Sequence, residues 1–186
     1  MQDISDDILI QAAKGDIQAF EKVYKTYAPF VYNVAYRMVE AKEDAEEITS
    51  EVFLTIHKKL SSFMFRSSLR TWVYRITVNC SINTLNKRKS DRRGIVDVED
   101  VLNFVASPSD QLKQSIEAED QEHKIRALLN VLNPDERACI VLRNIEGLSY
   151  EDIARSLGVN INTVRSRLKR GLAKMAAIGK EAQSNG

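Results

Sequence analysis

The stretch YEDIARSLGVNINTVRSRLKRGLAKM, Tyr150 to Met175, decides the fold. Its apolar residues keep a helical beat, break at Gly158, and resume beside five cations in the last eleven residues. Ser149 stands where an N-cap belongs, and Asp152 three residues on is placed to answer the Ser149 backbone amide, as in a capping box. Ile153, Ala154 and Leu157 then face inward, the alanine leaving room for a second helix. Gly158 supplies the left-handed residue that ends the helix, and Asn160 caps the next one. At about 100° per residue, Val164, Leu168, Gly171 and Met175 share one face. Asn162, Arg165, Ser166, Lys169, Arg170 and Ala173 centre on the opposite side, and Arg167 flanks the core edge. A short helix, a glycine turn and a second helix with polar, basic outward residues fit a helix-turn-helix docked in a major groove. Arginine can read guanine with two hydrogen bonds, while serine and lysine add base or phosphate contacts. A solvated basic helix would share the charge but not the caps, the glycine turn and the phased core together.

Outward from this motif, Asn133-Pro134-Asp135-Glu136 reads as an N-cap, a proline at the first helical position and acids in the first turn. Ala138, Val141, Leu142 and Ile145 form that helix's buried stripe, which stops at Gly147. From Asp6 to Lys89 the pattern is again helical with short breaks. Ile8, Ile10 and Ala13 lead to Gly15 and an N-cap at Asp16; Ile17, Phe20, Val23, Tyr24 and Tyr27 recur at helical spacing. Pro29 is expected to bend or restart that helix, and Val31, Val34, Ala35 and Met38 continue its stripe. A helix from Glu43 buries Ala45, Ile48, Val52, Ile56 and Leu60 and turns Glu43, Glu46, Glu47, Ser50 and Glu51 outward. Ser67 and Ser68 start another, whose buried side is expected to hold Trp72, Ile76, Cys80 and Leu85. Between Asp97 and Glu122, eight acids face one cation, Lys113, and Ser107-Pro108-Ser109 interrupts any long helix.

Glycine (7) and proline (3) are scarce among 186 residues, and hydrophobic residues make up 44%, enough to bury cores. The expected fold class is all-α: two small helical domains, 1–94 and 123–186, joined by an acidic flexible linker, 95–122. The net charge of +1 says nothing about nucleic acid, so the distribution of charge must. Cys80, Cys139, His57 and His123 show no zinc-type spacing, and each cysteine lies in an apolar helical pattern, as buried thiols in a reducing compartment do. No metal or cofactor is expected. The stretch MQDISDDILI is acidic and lacks the basic start and apolar core expected of a signal peptide, and no run approaches the roughly 18–20 apolar residues that cross a bilayer. A cytoplasmic, soluble protein without membrane insertion is expected. No phosphate-binding glycine loop, metal cluster or nucleophile–base set is visible, which argues against an enzyme.

NPDERACIVLRNIEGLSYEDIARSLGVNINTVRSRLKRGLAKM resembles the promoter-binding C-terminal domain of extracytoplasmic-function (ECF) sigma factors of the sigma-70 family. EDAEEITSEVFLTIHKKLSSF followed by SSLRTWVYRITVNCSINTLNKRK resembles their N-terminal domain. The two blocks stand in the family's order and cover nearly the whole chain. The resemblance implies an alternative sigma factor that binds bacterial core RNA polymerase, through the beta-prime clamp helices and the beta flap, and directs it to promoter DNA. It also implies an anti-sigma factor as partner. Asp44, Glu46, Glu47, Ser50 and Glu51 would meet the clamp helices. The loop Phe63-Met64-Phe65-Arg66-Ser67-Ser68 would hold a flipped base of the minus-ten element, with Arg75, Asn79, Asn83, Lys87 and Arg88 on adjacent bases and backbone. Arg165, Ser166, Lys169 and Arg170 match minus-thirty-five readers, with Asn162, Thr163 and Arg167 on phosphates. The acidic linker would thread the polymerase's active-site cleft and RNA exit path. Two positions depart from the family: Met64-Phe65-Arg66 stands where arginine, glycine and an acid are common, and Ser50 where glutamine is frequent. The alternative is a stand-alone helix-turn-helix regulator, which would bind a palindromic duplex without polymerase.

Overall fold

The computed structural model describes residues 4–64, 67–92 and 125–184. The acidic linker lies outside the described residues, as do Phe65 and Arg66. Every regular element among the described residues is helical.

Helix α1, Asp6–Ala13, carries Asp6 and Asp7 in its first turn, where the helix dipole favours negative charge. Its buried residues are Leu9 and Ala12, one position off the expected stripe; Ile10 is exposed. The chain turns at Gly15 (φ 95°), and Asp16 accepts the Ala19 amide at 2.8 Å to start α2, Ile17–Val39. Helix α2 runs unbroken through Pro29, so the chain does not restart its helix there. The proline forfeits one ladder bond, but Val23, Tyr27, Val31, Val34 and Met38 form one buried stripe spanning it, and that burial holds the helix together. Ile17 (83% exposed) and Tyr24 (47%) lie off the stripe despite their apolar character. The helix ends at Glu40, a non-glycine residue at φ 57°, a conformation that costs about 1–2 kcal/mol for a residue with a Cβ.

Helix α3, Lys42–Lys59, buries the expected Ala45, Ile48, Val52 and Ile56, and the following short 3-10 turn buries Leu60. Ser68 accepts the Thr71 amide at 3.1 Å ahead of α4, Leu69–Arg92. The buried side of α4 centres on Val73, Tyr74, Thr77, Val78 and Ser81, with Cys80 at its edge; Trp72, Ile76 and Leu85 are only half-buried. Thr77 and Ser81 are tolerated inside because each hydroxyl donates to a backbone carbonyl one turn back, at 2.9 Å. Helices α2, α3 and α4 pack on one another, and α1 closes one end against α2 and the 3-10 turn.

The second unit begins with the helical stretch α5, residues 125–130, followed by α6, Pro134–Ile140. Asn133 and Glu136 form a full capping box: the Glu136 amide donates to Asn133 Oδ1 (2.9 Å), and the Asn133 amide to Glu136 Oε2 (3.3 Å). The helix continues as a π-helical stretch, Val141–Ile145. The wider turn rotates Ile145 outward, so Ala138, Val141 and Leu142 are buried as expected but Ile145 is not. Helix α7, Tyr150–Leu157, and helix α8, Ile161–Ser184, complete the unit. Helix α8 crosses α6 closely at Gly171, where a Cβ would stand 3.1 Å from the Ile140 side chain.

Two buried charges on α6 were not legible as such. Glu136 is 2% exposed and is met by Lys174 Nζ at 2.7 Å and Arg170 Nε at 3.6 Å, both from α8. Arg137 crosses to the first unit, where it donates to the Met38 carbonyl at 2.7 Å and pairs with Glu40 at 3.4 Å. That carbonyl is among the last of α2, which lack helical partners and carry the negative end of the helix dipole, so a guanidinium suits it. Burial pushes the Glu40 carboxyl above its usual range, outweighing the pull of Arg137.

Candidate nucleic-acid interface

Helices α7 and α8 are joined as the sequence predicts, with one local difference. Ser149 Oγ accepts the Asp152 amide at 3.0 Å. The Asp152 carboxylate, however, accepts the Ser149 hydroxyl (2.7 Å) and Arg155 (2.6 Å) rather than the Ser149 amide. Those two contacts hold its carboxyl below the usual range. Gly158, at φ 64°, ends α7, and Asn160 Oδ1 accepts the Asn162 amide at 2.8 Å at the start of α8. Val164 and Leu168 are buried with Gly171, and Met175 is partly buried, so the expected face is the one that packs.

The opposite face of α8 presents Asn162, Arg165, Ser166 and Lys169 to solvent, with Arg170 exposed beside them. Arg165 is steadied by Asn162 Oδ1 at 3.0 Å, and the Ser166 hydroxyl donates to the Thr163 carbonyl at 2.9 Å. Thr163 is half-buried. Arg167 differs from its neighbours: its side chain is 17% exposed and paired with Asp135 at 3.1 Å, so it braces α8 against α6. Arg170 combines both situations, 62% exposed yet within 3.6 Å of Glu136. The exposed groups are donors and cations on a helix whose far side packs through Val164, Leu168 and Gly171, the arrangement that leaves a groove-reading face free.

A second polar face lies on α4. Arg75, Asn79, Asn83 and Lys87, spaced four apart, are all exposed and form a single ridge along the helix. Arg88 sits beside it in an ion pair with Asp44 of α3, so two residues expected at different sites meet each other. At the start of the helix, Phe63 packs on Trp72 with ring centroids 5.2 Å apart, and Met64 is 68% exposed. Ser67 is half-buried, and Ser68 is exposed and spends its hydroxyl capping α4.

A third face, on α3, exposes Glu43, Glu46, Glu47, Ser50 and Glu51. The Ser50 hydroxyl is turned back to the Glu46 carbonyl at 3.1 Å. Leu54, 61% exposed, continues this face at helical spacing from Glu47, Ser50 and Glu51 and was not singled out from the sequence. Its place in the acidic row, off the Ala45, Ile48, Val52 and Ile56 stripe, is the signal that could have found it. Cys80 and Cys139 are both buried free thiols, each pushed up to about 11 by burial and therefore held as neutral thiols. No described helix is long and apolar enough to cross a membrane.

Two family models match the chain: sigma-70 region 2 over residues 23–91 and sigma-70 region 4 over residues 122–175. The ECF RNA polymerase sigma-E factor of Haemophilus influenzae is 30% identical over 180 residues, covering 91% of this chain and 92% of that protein. SigW of Bacillus subtilis is 29% identical, covering 87% of this chain and 89% of its own. SigE of Mycolicibacterium smegmatis is 32% identical over 86% of this chain, which spans 62% of that longer relative. Among solved structures, the sigma factor RpoE of Bartonella quintana in complex with the anti-sigma factor NepR superposes with a TM-score of 0.66 at 24% identity, covering 88% of this chain and 98% of that one. CnrH in complex with the cytosolic domain of CnrY gives 0.66 at 21% identity, covering 94% and 96%. The chain belongs to the ECF sigma factors of the sigma-70 family. It is an alternative sigma factor that directs transcription.

Proposed function

We propose that the chain binds core RNA polymerase and gives it promoter specificity. Residues 1–94 engage the polymerase and the minus-ten element, residues 123–186 read the minus-thirty-five element, and residues 95–122 connect them. The observation that carries this reading is the coexistence of three exposed faces that the fold does not need. The α8 face is cationic and donor-rich, as duplex recognition requires. The α4 ridge combines amides with cations, suited to separated bases and their backbone. The α3 face is acidic with Leu54 projecting from it, suited to a basic protein surface with an apolar pocket. An anti-sigma protein is a further partner under this reading, supported by the Bartonella quintana sigma factor, which shares the fold and is complexed with one.

Co-purification with core polymerase tests the α3 assignment. Glu47→Lys combined with Leu54→Glu is expected to weaken association by tenfold or more, an effect of about 1.4 kcal/mol or greater, with the unfolding temperature unchanged because both side chains are exposed. Undiminished association would remove α3 from the polymerase surface.

A further inference from the structure

Neither matched region, 23–91 nor 122–175, includes α1, yet that helix forms one wall of a cavity of about 320 Å³ against the 3-10 turn. The volume stands at the small end of the about 300–1,000 Å³ of small-ligand pockets, room for one planar ring system. Leu9 of α1 and Leu60 of the turn form its buried lining. Ile10 and Lys14 of α1 and Ser61 of the turn form its exposed lining, Ile10 at 42%. Phe63 lines it as well. That phenylalanine is the first residue of the loop expected to hold the flipped minus-ten base, and Met64 after it stands 68% exposed, so the cavity adjoins that loop. The surroundings are cationic. The Lys14 ammonium makes no ion pair among the described residues, and Lys58 and Lys59 are exposed at the end of α3, directly before Leu60. The acids of α1, Asp6 and Asp7, stand in its first turn, at the other end from Lys14, and Asp16 spends its carboxylate capping α2.

We propose that this cavity is a second base site, which takes one unstacked base of the separated promoter strand next to the base held by the loop from Phe63 to Ser68. The site rests on the sigma-factor reading and extends its DNA surface onto α1. A nucleotide combines two apolar ring faces, a polar base edge and a charged phosphate. Ile10 and Phe63 meet the ring faces, as apolar and aromatic side chains do for bases taken out of the stack. The Ser61 hydroxyl can donate to or accept from the base edge. Lys14 faces the phosphate that the strand carries past the cavity. An apolar side chain of a protein partner would fill the lining but leave Lys14, Lys58 and Lys59 unmatched; a nucleotide matches both. Two neighbouring bases held apart resist re-pairing better than one, so the site favours the melted strand.

The test uses holoenzyme reconstituted from core polymerase and the full chain, with a fork-junction fragment of a promoter mapped by run-off transcription. The minus-ten strand of the fragment is single-stranded and carries one abasic nucleotide, moved position by position. Removing the base that enters the cavity is expected to weaken binding by the unmodified holoenzyme about tenfold. Ser61→Trp places an indole at the cavity, and Ile10→Asp sets a carboxylate at its edge. Both positions are exposed, so the unfolding temperature and the association with core polymerase should stay unchanged. Each variant should bind the intact fragment about tenfold more weakly and become indifferent to the abasic nucleotide at one position beside the flipped base. Lys14→Ala should instead lower the salt slope by about one and keep the abasic effect. Should either cavity variant unfold, the other carries the comparison. An abasic profile undiminished in the cavity variants overturns the base site. Weaker association of those variants with core polymerase also overturns it and makes the cavity a protein-docking site. Failure of the unmodified protein to bind core polymerase at all sinks the sigma-factor reading and the base site with it, whereas normal promoter binding without the coupling removes the base site alone.

Discussion

Replacing Arg165 and Lys169 together by alanine is expected to weaken binding to a minus-thirty-five duplex by about a hundredfold while leaving the fold intact. Both side chains point into solvent from the face of α8 opposite Val164 and Leu168, so neither carries packing. An arginine read out against a guanine contributes about 1–3 kcal/mol of discrimination. Arg165→Ala alone should therefore relax preference at one base position. Lys169→Ala should weaken all sequences alike and lower the salt slope by about one, as a phosphate contact does. Arg167→Ala provides the contrast. Its pairing with Asp135 makes it a brace between helices, so stability should fall more than base preference changes. Binding titrations over a salt series, with unfolding curves alongside, separate the three.

Glu136→Ala is expected to cost about 2 kcal/mol and to lower the melting temperature by roughly 8 °C or more. The substitution removes the reciprocal half of the capping box and the group that Lys174 and Arg170 hold from α8. Both cations are well exposed and can turn to water, which keeps the figure below that of a fully buried pair. The same carboxylate gives a pH signature. Burial works to raise its pKa, but Lys174, the Asn133 amide and Arg170 together overcome it and leave the folded value below the ordinary one. A depressed carboxylate contributes stability that is fully present above the ordinary glutamate range and is lost as pH falls through the folded value. The unmodified protein should lose stability on acidification below about pH 4.5 more steeply than Glu136→Gln does, as thermal unfolding across that range would register.

The helix-turn-helix was legible because each signal was local. The Ser149 cap, the left-handed Gly158 and the phase of Val164, Leu168 and Gly171 depend only on neighbouring residues. The acidic outward row of α3 was legible for the same reason. What escaped the sequence depended on partners far along the chain. Glu136 was legible only as an acid in the first turn of α6, and Arg137 gave no local signal, yet both sit inside among Lys174, Arg170, Glu40 and the Met38 carbonyl, where ions are rarely found. The buried side of α4 was misplaced toward Trp72 and Ile76 because Thr77 and Ser81 look polar; their hydroxyls are satisfied by their own helix. Pro29 does not restart the helix because the buried stripe from Val23 to Met38 runs on either side of it and outweighs one missing hydrogen bond. Glu146 offered no local signal at all, since its partners Arg37, Arg70 and Tyr74 are brought to it only when the two units meet.

Run-off transcription with purified core polymerase, with and without this protein, on a library of genomic fragments tests the central claim most directly. The account predicts discrete start sites that appear only when the protein is added, preceded by two shared elements at fixed spacing, and lost with the Arg165 and Lys169 double substitution. Duplex binding by the protein alone, with no new start sites and no association with polymerase, would contradict it and make α8 the reading head of an independent regulator.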